Sequence, residues 1–169
     1  VAMGTLRRVL GIAKVKGAAE IVIDRFERDL TPLLVGVWHH DVVDGLLDQL
    51  KFSGVPCIDL TGKTSPTLKQ AIIRTFNAGD MPVLVGQIAA MGVGIDLFQA
   101  SHRILVVEED FSPEIMKQFY ARLHRWGQKH TVQVESVAGR DKLDEAIRRI
   151  STAKARYANV ALAPEEITT

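Results

Sequence analysis

The segment Gln118-Phe119-Tyr120-Ala121-Arg122-Leu123-His124-Arg125-Trp126-Gly127-Gln128 carries the residues best suited to chemistry in this chain. Read as part of a helix opened by Pro113 and running to about Arg125, it places Gln118, Arg122 and Arg125 at i, i+4 and i+7, on one face. Two guanidinium groups projecting from one face suit a phosphoryl group, because arginine forks bind phosphate oxygens in pairs and keep their charge. They would offset the negative charge that builds on phosphorus during transfer. Spacing alone leaves a second reading equally open, in which both arginines pair with acids on a neighbouring helix.

Four shorter patterns do not hold up. Gly62-Lys63-Thr64 looks like the end of a phosphate-wrapping loop, but that loop needs a glycine five residues earlier, where Cys57 stands. Gly92-Val93-Gly94 follows a strand as a dinucleotide site would, yet Leu97 replaces the third glycine, so a flexible or close-approach loop is the better reading. Ile104 to Val107 followed by Glu108-Glu109-Asp110 resembles the strand and acids that hold magnesium in many ATPases. With no phosphate loop upstream, solvated acids at a strand end are expected. His39-His40-Asp41 suggests a metal, but adjacent histidines in a strand point to opposite faces, and no metal site is expected.

The elements that must position these residues alternate along the chain. Ala18, Ile21, Val22, Arg25, Phe26 and Leu30 predict a first helix over about 17–31, ended by Pro32. Leu33 to Trp38 reads as a buried strand, and Val42, Val43, Leu46, Leu47 and Leu50 as a second helix capped by Asp41. Val55 to Leu60 is a strand, followed by a helix with Ser65 as its cap and Pro66 at its first position. Pro82 to Val85, Ile104 to Val107 and Thr131 to Val137 are further strands, and Asp141 opens a closing helix over about 141–161. Strands apolar on both faces, alternating with amphipathic helices, predict an α/β fold with a parallel sheet covered on both sides. Ligands of such sheets sit beyond the carboxyl ends of the strands, so the loops after Trp38, Leu60, Val85, Val107 and Val137 are the informative ones.

The bulk properties are those of one domain. The chain has 169 residues, 47% hydrophobic and 24% charged, with a formal net charge of +1. A domain is expected over 1–163 and a loose tail over 164–169. Lys117 to His130 and Gly62 to Asn77 each carry several cations and no carboxylate, a distribution that attracts polyphosphates, although on charge alone ordinary solvated helix faces are the favoured reading. The single cysteine, Cys57, rules out a disulfide framework and fits a reducing compartment. No apolar run reaches the roughly 20 residues that span a bilayer, and Val1 as the first residue suggests a fragment.

The motifs together resemble the Swi/Snf family of ATP-driven DNA motors. Gln118, Arg122, His124, Arg125, Gly127 and Gln128 match its motif VI, Gln-Ala-x-Asp-Arg-x-His-Arg-x-Gly-Gln. Leu33 to His39 resembles motif IV, and Leu60 to Ser65 with Lys69 and Phe76 resembles the family's Asp-Gly-Ser-Thr segment. Ala89 to Leu97 with Ala100-Ser101 resembles motif V, and Asp110-Phe111-Ser112-Pro113 stands where the family has a Trp-Asn-Pro turn. The likeness runs from about Val9 to Ala161, in the family's order, and is nearest to the annealing-helicase branch and its bacterial and phage relatives. Ala121 replaces the family's acid, Phe119 its alanine, Trp126 an aliphatic, Thr61 an acid and Lys69 an arginine.

The resemblance implies a three-layer RecA-like fold, the C-terminal lobe of a two-lobed motor whose ATP-binding N-terminal lobe is absent from this sequence. It implies Arg125 and then Arg122 as arginine fingers, and Gln118, Gly92, Gly94 and Asp96 as nucleotide-responsive residues. Lys63, Thr64, His39, Ala90 and Met91 become DNA contacts. ATP with Mg2+ would be held mainly by the first lobe, and DNA and that lobe would be the partners. This lobe alone is expected to be inactive. A bacterial or phage cytoplasm is the expected compartment, with the nucleus as alternative. A non-hydrolysing nucleic-acid- or partner-binding lobe and an RNA helicase lobe remain alternatives, though the Gly127-Gln128 ending differs from the Gly-Arg usual in RNA-dependent relatives.

Overall fold

The computed structural model describes residues 2–91, 94–139 and 149. The predicted closing helix over 141–161, apart from Arg149, the tail over 164–169 and the motif V residue Gly92 lie outside the described residues. Five strands, β1 (Leu33–Val37), β2 (Cys57–Leu60), β3 (Val83–Gln87), β4 (Arg103–Val106) and β5 (Gln133–Ser136), form one sheet in the order β2-β3-β1-β4-β5. Every pairing is parallel, with Leu33 opposite both Val83 and Arg103.

Period-2 alternation explains why the central strands are apolar throughout. Leu33, Val35 and Val37 of β1 pack with Val83, Val85 and Leu105 on one face, against helices α1 (Ala2–Arg28) and α2 (His40–Phe52). Leu34 packs with Leu84, Ile104 and Val106 on the other face, against α3 (Pro66–Asn77) and α4 (Pro113–Tyr120). This is the three-layer α/β architecture that the alternating pattern predicts.

The helix ends require corrections. The first helix begins at Ala2 rather than near Gly17 and stops at Arg28 rather than near Thr31. Its extra turns lie over the carboxyl end of β4, where Lys14 donates to the Val107 carbonyl at 3.3 Å. The N-cap of α2 is His39 and not Asp41, and no side chain caps it. Asp41 sits in the first turn, where its charge favours the positive end of the helix dipole, and it pairs with Arg8. Ser65 caps α3 as expected, and Ser112 caps α4, each followed by proline.

Candidate functional site

The α4 helix ends at Tyr120, so the arginines expected on its face lie instead in the turn that follows. Short-range bonds tighten the chain there: Arg122 N–H donates to the Phe119 carbonyl at 3.0 Å and Leu123 N–H to that of Tyr120 at 3.1 Å. The turn is sewn to the segment after the 3-10 turn Ile88–Met91. Leu97 N–H donates to the Arg122 carbonyl at 3.0 Å, and Arg122 Nη1 donates to the Ile95 carbonyl at 3.1 Å. Arg122 Nε also reaches the Gln118 carbonyl at 2.9 Å. Arg122 is therefore committed to backbone carbonyls on two sides. Arg125 makes an ion pair with Asp96 in which both side chains are 49% exposed. Such a pair is weak in water and readily exchanged.

The structure thus gathers Arg122, Arg125, Asp96 and the backbone of Gln118, whose own side chain is exposed. Gly94 lies at the exposed bend, at φ 70°, a conformation that glycine adopts without strain. Asn77, at the end of α3, donates to the Asp96 carbonyl at 2.7 Å, a support that sequence reasoning did not single out. Burial and the nearby Glu109 push the Tyr120 hydroxyl up to about 12, so it stays protonated at the end of α4.

The expected DNA contacts lie on the loops after β1, β2 and β3. Lys63 is exposed between Gly62 and Thr64, and Thr64 Oγ1 accepts from Thr61 N–H at 3.0 Å. Lys69 Nζ holds the Ala90 carbonyl at 3.0 Å. The Met91 side chain is fully buried beneath Gly86, so it offers no surface to DNA. This apolar side chain of the 3-10 turn is turned inward and fills the face beneath β3.

Two of the acids expected to be solvated, Glu108 and Asp110, are buried. Glu108 is 4% exposed and Asp110 6%. Glu108 Oε2 accepts from the N–H groups of Trp38 and His39 at 2.8 and 2.9 Å, and Oε1 lies 2.7 Å from His39 Nδ1. His39 follows the strand instead of lying in it, and its Nδ1 partner leaves Nε2 as the other polar atom of the ring. Arg7 of α1 lies over the rings of Trp38 and Phe111, 4.8 Å from each centroid, and pairs with Asp110 at 3.6 Å. Burial lowers the pKa of its guanidinium, against the raising effect of Asp110 and Glu108. Nothing in the pattern of residues 1–16 signalled this contact. Among the described residues no group of three or more His, Cys, Asp or Glu side chains is gathered as a metal site would be.

The turn that carries Arg122 and Arg125 is thus bonded to the loop after the third strand of a parallel sheet. The model of the helicase conserved C-terminal domain matches residues 17–127, and the chain belongs to that family. Its relatives are of the Swi/Snf type. It is 29% identical over 143 residues to an uncharacterized ATP-dependent helicase of Mycoplasma pneumoniae, covering 84% of this chain and 14% of that protein. It is 30% identical over 121 residues to the chromodomain-helicase-DNA-binding protein 1-like of Danio rerio, covering 72% and 12%. It is 28% identical over 134 residues to the SWI/SNF-related matrix-associated actin-dependent regulator of chromatin subfamily A-like protein 1 of Xenopus laevis, covering 79% and 14%. The chain therefore spans a small part of each relative. The crystal structure of the C-terminal part of the Fun30 ATPase domain shares its fold, with a TM-score of 0.74 at 23% identity, covering 82% of this chain and 44% of that one. No helix of the described residues is long and apolar enough to cross a membrane.

Proposed function

We propose that this chain is the second lobe of an ATP-dependent DNA translocase or helicase, working against a first lobe that holds ATP and its Mg2+. The observation that supports this most directly is the Arg125–Asp96 pair, a half-exposed guanidinium kept beside the arginine turn by an exchangeable partner. Bound ATP would supply the phosphoryl group to be transferred to water. Arg125 leaves Asp96 and gives its charge to the γ-phosphate side of the cleft, the role for which a fixed cation is most effective. Arg122 stays bonded to Ile95 and Gln118 and keeps the turn in place, so its contribution is as much to position as to charge. Departure of Arg125 frees the carboxylate of Asp96, whose backbone continues into the Gly94 bend and the Ala90 turn. In this way the state of the nucleotide reaches the loops carrying Lys63, Thr64, His39 and Ala90, which face a DNA backbone. Closing and opening of the two lobes then step along DNA, a gating motion.

Arg125→Ala in the full-length protein lowers DNA-stimulated ATP hydrolysis about a thousandfold while ATP still binds. Steady-state hydrolysis with no nucleic acid, duplex DNA, forked DNA or RNA measures this. Equal hydrolysis by variant and wild type would falsify the finger assignment. Stimulation by RNA above DNA would turn the reading to an RNA helicase, and no hydrolysis by the wild type to a binding lobe.

A further inference from the structure

Gln87 ends β3 at the meeting point of three loops. Its Oε1 accepts from the Gly62 N–H at 3.1 Å, and its Nε2 donates to the Trp38 carbonyl at 2.9 Å. One end of the amide meets a donor and the other an acceptor, so the side chain has one productive orientation. Gly62 adjoins Lys63 and Thr64, Trp38 adjoins His39, and Gln87 itself leads through Ile88 into the turn that carries Ala90. A single side chain thus ties the loop after β1 to the loop after β2 from the base of the loop after β3.

We propose that Gln87 is a positioning residue that sets these three loops in one register as a seat for the sugar-phosphate backbone of DNA. The inference rests on the reading above, in which Lys63, Thr64, His39 and Ala90 face DNA. Phosphates recur along a strand at fixed spacing and fix how a protein sits on it. Contacts from separate loops add in full only when the loops are already in register, because loose loops must be ordered on binding. Gln87 supplies that order before DNA arrives. Its bonds to Gly62 and Trp38 reach neither Arg122, Arg125 nor Asp96, so its effect is on the track and not on the arginine turn.

The test uses the full-length protein, a short DNA duplex and ATP hydrolysis followed against DNA concentration. Gln87→Met keeps length and volume and removes both bonds. It is expected to raise the DNA concentration for half-maximal stimulation roughly five- to thirtyfold, the ratio that one or two net hydrogen bonds supply. The rate at saturating DNA changes less than about twofold, which a general loss of folding would not allow. Gln87→Glu retains the acceptor for Gly62 but sets a carboxylate oxygen against the Trp38 carbonyl and adds a negative charge beside the phosphate seat, and is expected to weaken DNA at least as much as Gln87→Met. Combined with Lys63→Ala, the Gln87→Met loss is smaller than the product of the two single losses, because both act through one loop. If Lys63→Ala weakens DNA and Gln87→Met leaves half-maximal stimulation unchanged, the role of Gln87 is overturned and the track stands. If Lys63→Ala and Gln87→Met both behave as wild type, the track itself is overturned, and the inference with it.

Discussion

His102 shows how much a single side chain at the rim of the sheet can report. Its ring lies 4.8 Å from that of His130, tilted by 31°, beside an open cavity also lined by Thr31, Phe98 and Lys129. Burial lowers the pKa of His102 below its ordinary 6.5, and the nearby charges of His130 and Arg103 lower it further, with Asp29 acting the other way. A base with a depressed folded pKa is bound to fewer protons in the native state than in the unfolded chain. Its stabilising contribution is therefore complete above about pH 6.5 and is lost as pH falls from there toward the folded value. Melting temperature should fall between about pH 7.5 and pH 5.5, and His102→Gln should flatten part of that fall. An unchanged slope in the variant would remove His102 from the account. Residue-scale legibility was uneven in a related way. Arg122 and Arg125 were visible because their type and spacing are unusual, whereas Glu108 looked like any acid after a strand. Its burial depends on the Trp38 and His39 amides, which are nearly seventy residues away in sequence, as the separations of 70 and 69 show.

At the scale of elements, the strands and the cores of α2 and α3 were legible because apolar runs and period-3.6 stripes report directly which faces are buried. The ends of α1 and α4 were not. The residues before Gly17 carry Arg7, Arg8, Lys14 and Lys16 with two glycines, a poor helical pattern on its own. Tertiary partners make it a helix: Arg7 is sandwiched by Trp38 and Phe111, and Gly11 lies so close to Glu108 and Val42 that a Cβ there would come within 2.8 Å of Val42 Cγ2. The α4 helix errs in the opposite direction. Its arginines keep helical spacing, but Leu97 and Ile95 take up the backbone and side chain of Arg122 and the chain turns away. The first turns of α1 consequently contribute more than their sequence suggests. Arg7→Ala should destabilise the protein by about 3 kcal/mol, because it leaves Asp110 buried without its cation. Arg7→Lys should recover only part, since an ammonium lacks the planar fork that lies over both rings. Denaturant unfolding of the three proteins measures this, and a loss below about 0.5 kcal/mol in Arg7→Ala would show that α1 is merely resting on the sheet.

For the whole molecule, the parallel order β2-β3-β1-β4-β5 decides what this lobe can do alone. The connection after β1 passes over the face covered by α1 and α2, and those after β2 and β4 over the opposite face, so the loops diverge beside β1 as in other open α/β sheets that bind ligands there. In proteins that cradle a triphosphate, such a loop presents free backbone N–H groups to the phosphates. The loop after β2 does not. Gly62 N–H is held by Gln87, Thr61 N–H by Thr64 Oγ1 at 3.0 Å, and Lys63 N–H by Thr61 Oγ1 at 3.4 Å. The Lys63 side chain remains exposed, but the amides that would wrap a phosphate are spent within the loop. The resemblance of Gly62-Lys63-Thr64 to a phosphate loop is thus undone by the fold as well as by Cys57. On the proposed reading, what the lobe offers a nucleotide is cationic side chains from the arginine turn, which would stabilise a phosphoryl group only when another surface holds it. The chain of residues 1–169, prepared alone, should therefore melt cooperatively and hydrolyse ATP at the background rate, with or without DNA. Adding the separately prepared first lobe should restore DNA-dependent hydrolysis, and Arg125→Ala in the second lobe should abolish the restoration. Hydrolysis by the isolated chain that survives Arg125→Ala would mean that it carries a phosphate site of its own.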